Sequence, residues 1–146
     1  MNLRDLLSQP DRTWHFKPGA TADEIEALVT RSPVELPDRL LELLATSNGG
    51  EGELAAEPLW FCLDPVREII ESISDSFLAE FFPGYFFFGG NGGMERIALD
   101  VRSGVPREVV MIDPIAGPSS AVPIAPSFNE FVQAIGVTSD DSENDA

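Results

Sequence analysis

The sequence predicts an α+β fold, a single domain built mainly on a twisted antiparallel sheet flanked by helices. Three observations carry that expectation. Capped, amphipathic helical segments open the chain, segments with a period of two follow in its later half, and one more capped helix closes it. Helices, then a meander, then a helix lack the regular strand–helix alternation of a parallel sheet.

The first clear helix starts at Thr21. Thr21-Ala22-Asp23-Glu24 has the spacing of a capping box, and Ile25, Leu28 and Val29 then fall on one face. Pro33 ends that segment. Pro37 stands at the start of a second helix, in which Leu36, Leu40, Leu43 and Leu44 make an apolar stripe. Asn48-Gly49-Gly50 is read as its stop, because glycine accepts the left-handed conformation without a Cβ clash. Leu59, Trp60, Phe61 and Leu63 give a strand. Asp64 and Pro65 then read as N-cap and first residue of a third helix, with Val66, Ile69, Ile70, Ile73 and Phe77 at helical spacing. Tyr85 to Phe88 is a short aromatic strand. Ile97, Leu99 and Val101 alternate with Arg96, Ala98, Asp100 and Arg102, as in a half-covered strand. Arg102-Ser103-Gly104 turns the chain into a return strand over Glu108 to Ile112. Ser127-Phe128-Asn129-Glu130 is a second capping-box spacing, Phe128, Phe131, Val132 and Ile135 form the last buried helical face, and Gly136 closes it.

The composition narrows the function. The 146 residues suit one domain, and the 43% hydrophobic content suits a packed core. No apolar run reaches the ~20 residues of a membrane helix, and MNLRDLLSQPDR lacks the apolar stretch of a signal peptide. Twenty-five acids oppose nine bases, a net charge of −16. Such a surface repels nucleic acid and anionic membrane, so neither is expected as a partner, and it attracts basic proteins. Solubility alone accounts for the charge equally well. Residues 48–80 concentrate it, with eight acids against one base. The tail over 139–146, SDDSENDA, is expected to be acidic and disordered. A cytoplasmic location fits the single cysteine, Cys62, which is read as a buried small hydrophobe.

The run Gly89-Gly90-Asn91-Gly92-Gly93 raises the question of phosphate binding. A phosphate loop continues into Lys and Ser or Thr; here Met94 and Glu95 follow. A dinucleotide fingerprint opens a helix, whereas this run opens an alternating segment. The run is therefore read as a turn using positive φ, with a mobile contact loop as a second reading. No cofactor is expected. His15 is the only histidine and Cys62 the only cysteine, which leaves no usual zinc ligand set. No nucleophile-elbow sequence supports a triad around His15. No catalytic residue is assigned.

Several segments, taken in order, resemble one family. They are Leu36-Pro37 with Leu40, Leu41, Leu43 and Leu44, leading into Asn48-Gly49-Gly50; Phe88-Gly89-Gly90-Asn91-Gly92-Gly93; Asp100; Val109 to Asp113; and Ser127-Phe128 with Phe131. Over about residues 20–136 the chain resembles a SUKH-superfamily domain of the Smi/Knr type. It departs from that pattern at Met94-Glu95, where an acidic-aromatic pair is more usual. Residues 1–20 are then an N-terminal extension and 21–138 the SUKH-like domain. The resemblance implies a protein-binding domain without catalysis. It implies an immunity protein that binds and neutralises a bacterial toxin, or else a regulatory or scaffold module of the same fold. A carboxylate-dependent hydrolase is a third reading.

The acidic block supplies the binding candidates: Glu51, Glu53, Glu57, Glu68, Glu71 and Asp75, joined by Glu95, Asn91 and the aromatic Trp60 and Tyr85. Such a surface complements a basic protein such as a toxin domain. Exposed Trp60, Phe82 or Tyr85 would anchor it, since binding energy concentrates in large aromatic side chains. A solvated acidic face and core aromatics are the plainer readings of the same residues.

Overall fold

The computed structural model describes residues 1–138; the acidic tail expected over 139–146 lies outside them. The described residues hold six α-helices and one seven-stranded sheet. In chain order they are α1 (Leu3–Leu7), β1 (Trp14–His15), α2 (Ala22–Arg31), α3 (Asp38–Thr46), β2 (Glu51–Glu53), β3 (Trp60–Leu63), α4 (Val66–Ile73), α5 (Ser76–Phe81), β4 (Tyr85–Gly90), β5 (Arg96–Asp100), β6 (Val109–Ile112), β7 (Val122–Ala125) and α6 (Phe128–Ala134). Every strand pairs antiparallel with the next, so the sheet is one meander from β1 to β7. The α+β class and the antiparallel sheet expected from the sequence are present.

The helical face carries the main core. Phe61 sits at its centre, fully buried, with ring contacts to Trp14, Phe88 and Phe131 at 5.7, 5.9 and 5.1 Å. The last two are edge-on, a geometry worth roughly 0.5–1.5 kcal/mol per pair beyond area burial. Leu28, Leu40, Leu43, Leu44 and Phe131 close over it from the helices. α2 begins with the expected capping box: the Glu24 amide donates to Thr21 Oγ1 at 3.1 Å and Glu24 Oε1 accepts from the Thr21 amide at 2.8 Å. Leu28 is buried as expected, but Val29 is exposed. The first twenty residues supply α1, whose Leu3, Leu6 and Leu7 enter the core, and the edge strand β1.

The segment after β3 departs from expectation in two ways. Asp64 does not cap the helix. Pro65 is the N-cap and offers no side-chain acceptor. The acceptor comes from Asn48, eighteen residues earlier, whose Oδ1 takes the Val66 amide at 2.8 Å. The helix also stops at Ile73, because Asp75 caps a separate helix by accepting from the Leu78 amide at 3.0 Å. Phe77 therefore leaves the register of α4 and lies 54% exposed.

Ser47-Asn48-Gly49-Gly50 does more than end α3. Ser47 Oγ is fully buried; it accepts from Trp14 Nε1 at 3.3 Å and the Lys17 amide at 3.0 Å, and donates to the Gly49 carbonyl at 2.7 Å. Gly50 has φ +110°, and a Cβ there would come within 2.7 Å of the His15 carbonyl. The motif thus clamps β1, α3 and α4 together.

The glycine run divides in the same way. Gly89 and Gly90 belong to β4, not to a turn. A bulge at Phe88 sends both Phe88 and Gly89 toward the helical face, and a Cβ on Gly89 would meet the Cys62 carbonyl at 2.5 Å and Phe61 at 2.7 Å. Within the run only Gly92 has positive φ, +81°. Asn91 Oδ1 holds the turn by accepting from the Gly93 and Glu95 amides at 2.8 and 3.2 Å.

Candidate partner-binding surface

Directly opposed residues of antiparallel strands share a sheet face. The pairings His15 with Glu51, Glu51 with Cys62, Cys62 with Gly90, and Gly90 with Arg96 therefore set one row across the face opposite the main core. Glu53 and Trp60 oppose each other one step along. In this row Glu51 Oε1 accepts from Trp60 Nε1 at 3.0 Å and from Cys62 Sγ at 3.5 Å. The indole hydrogen bond, with the thiol's, holds the Glu51 carboxyl below its ordinary range. Burial first, then Glu51, pushes the Cys62 thiol up to about 11. Cys62 is half-buried rather than a core residue, and it stays a neutral thiol near pH 7, which makes it a poor nucleophile.

Arg96 leads from that row to the acidic groove. Asp64, Glu68, Glu71 and Asp75, with Arg67 and Arg96, line an open depression of ≈ 320 Å³ beside α4. A second hollow of ≈ 240 Å³, lined by Cys62, Gly92 and Glu95, shares Asp64 and Arg96 with it. The ion pair at the junction has Arg96 Nη2 2.8 Å from Asp64 Oδ2. Burial raises the Asp64 carboxyl, and Arg96 opposes the rise. The same guanidinium lies 5.8 Å over the Phe87 ring. Arg67 approaches Glu68 only at 3.8 Å and both are well exposed, so that contact contributes little. Glu71, Asp75 and Glu95 have no ion-pair partner among the described residues.

The sequence candidates separate into groups. Glu68, Glu71 and Asp75 meet in the groove, Glu95 lines the adjoining hollow, and Glu51, Glu53 and Trp60 share the sheet face beside it. Glu57 is exposed in the β2–β3 connection and lines neither hollow. The Asn91 side chain is spent on its own turn. Tyr85 lies apart, beside an apolar cleft with Phe86 and Phe87, and Arg102 stacks 5.4 Å over its ring. Phe82 is buried, not exposed: it packs edge-on against Phe87 at 5.8 Å, in a second cluster with Ala98, Val110 and Ile112. The exposed aromatic residues of this region are Phe77, expected on the apolar stripe of the third helix, and Phe81, which was not among the candidates. Asp75 ahead of Ser76-Phe77-Leu78 was the available signal, since an N-cap there starts a new helix and changes which face each residue presents.

The model of the SMI1/KNR4 family (SUKH-1) matches residues 19–134, most of the chain. The chain belongs to that family. SUKH domains are in general non-catalytic binding domains, and they include immunity proteins. No curated protein matched the chain in a sequence comparison. Among the described residues no helix of this SUKH-1 domain is long and apolar enough to cross a membrane.

Proposed function

We propose that this SUKH-1 domain is a cytoplasmic immunity protein that neutralises a basic toxin domain by binding it through the acidic groove. The observation that carries the reading is the gathering of Glu68, Glu71, Asp75 and Glu95 around the Asp64–Arg96 pair, with Arg67 the one further base among the lining residues. A basic catalytic cleft, such as a nuclease uses for its substrate, is complementary to this surface. Opposite potentials speed the encounter, and like charge rejects wrong partners. The groove is open, which suits occlusion of a partner's site.

Capture from the source organism's own lysate tests this, with washes at low salt and at ~0.5 M salt, where the Debye length falls to a few ångströms. The expected result is retention of one basic protein whose toxic activity this chain blocks. Retention of non-toxic partners alone contradicts the neutralisation reading and favours a regulatory module.

A further inference from the structure

Phe77 and Phe81 stand one helical turn apart on α5, with ring centroids 4.8 Å apart, and they are 54% and 49% exposed. They rest on further rings. Phe77 touches Phe82 at 6.1 Å, Phe82 touches Phe87 at 5.8 Å, and Phe87 lies under the Arg96 guanidinium of the groove. One ladder of rings therefore runs from the exposed pair to the acidic groove. Asp75 belongs to both, since it lines the groove and caps α5. Glu80 lies between the two phenylalanines in sequence and is exposed. Glu80 makes no ion pair among the described residues, while Asp75 shares its depression with Arg67 and Arg96.

We infer that Phe77 and Phe81 form an aromatic anchor for an arginine side chain of the basic partner, which stacks on the rings and donates to Glu80, the i+3 neighbour of Phe77 on the helix surface. The inference rests on the neutralisation reading and names the contact within it. A purely apolar occupant would bury that carboxylate without a donor, which is costly. A lysine would bring charge, but its compact and strongly hydrated ammonium does not stack. A guanidinium is planar, weakly hydrated and forked, so it satisfies the rings and the carboxylate together.

Two capped peptides of equal charge test this, one alternating arginine with glycine and the other lysine with glycine. Each is titrated into the isotopically labelled full chain and followed by NMR. The arginine peptide is expected to bind about fivefold more tightly and to shift the Phe77 and Phe81 resonances. F77L/F81L keeps apolar bulk but removes the ring faces, and should bring the arginine peptide to the lysine level while the amide spectrum away from α5 stays that of the folded parent. E80Q should weaken both peptides. Equal affinity for the two peptides, or an arginine preference that survives F77L/F81L, overturns the anchor. Protection against the toxin without arginine discrimination refutes the anchor and leaves neutralisation standing; discrimination without protection does the reverse.

Discussion

Replacing Asn48 with alanine should destabilise a helix that Asn48 does not belong to. α4 starts at Val66 behind Pro65, which has no side-chain acceptor, and Asn48 Oδ1 takes the Val66 amide at 2.8 Å. Val66 is 2% exposed, so water is poorly placed to replace the lost acceptor. Losing an N-cap costs about 1 kcal/mol, and orphaning a buried donor costs roughly 1–3 kcal/mol. These describe the same bond, so the expected loss is about 2 kcal/mol, or roughly 4–8 °C in Tm for a domain of this size. Urea unfolding gives the free energy, and hydrogen exchange locates it, with protection falling first at Val66. N48D keeps an acceptor and should recover more than half of the loss. A loss below about 0.5 kcal/mol for N48A, or equal losses for both variants, would refute the remote-cap account.

Two further outcomes follow from the same geometry. G89A should lose about 1–3 kcal/mol, because its Cβ meets the Cys62 backbone and Phe61, whereas G93A, facing only Asn91 Oδ1 at 3.5 Å, should change little; denaturation midpoints compare them, and equal effects would restore the simple turn reading. Asp100 is buried and held below its ordinary pKa, chiefly by hydrogen bonds from Arg102, which includes a 2.8 Å Nη2–Oδ2 contact. A depressed carboxyl stabilises the fold above its unfolded pKa and loses that contribution as pH falls through its folded value. R102A should therefore be less stable than the parent near neutral pH, with the gap closing in acid, and its Asp100 carboxyl should titrate higher by NMR; a gap that is constant with pH would contradict the pairing.

What the sequence made legible was local. The Thr21–Glu24 box and the Leu40–Leu44 stripe depend on neighbours within a turn or two, and each appears as read; the strand with Ile97 and Leu99 is present too, but it ends at Asp100 and is covered on both faces, with Ala98 and Asp100 buried as well. The meander followed from those pieces. What escaped depended on distant partners. The two-residue strand β1 and the three-residue β2 are too short to show a period, and pairing alone defines them. Asp64 looked like a cap because Asp-Pro favours one, yet Arg96, thirty-two residues on, claims it. Gly89 looked like part of a turn, but its lack of a side chain serves the packing of β3 against a bulge. The acidic block was visible as charge. Its convergence on α4 and the β4–β5 turn needed the fold, and so did the exchange of Phe82 for Phe77 and Phe81 as the exposed aromatic surface.

The most direct test of neutralisation through the groove is a growth assay in cells expressing the cognate toxin domain, with this chain or its E68Q/E71Q/E95Q variant supplied in trans. Association rates against salt are measured on the purified pairs. The account predicts that the parent protects, and that the variant associates about tenfold more slowly at low salt, with a flatter salt dependence and weaker protection. Full protection by the variant, with an unchanged association rate at low salt, would show that the groove is not the binding surface.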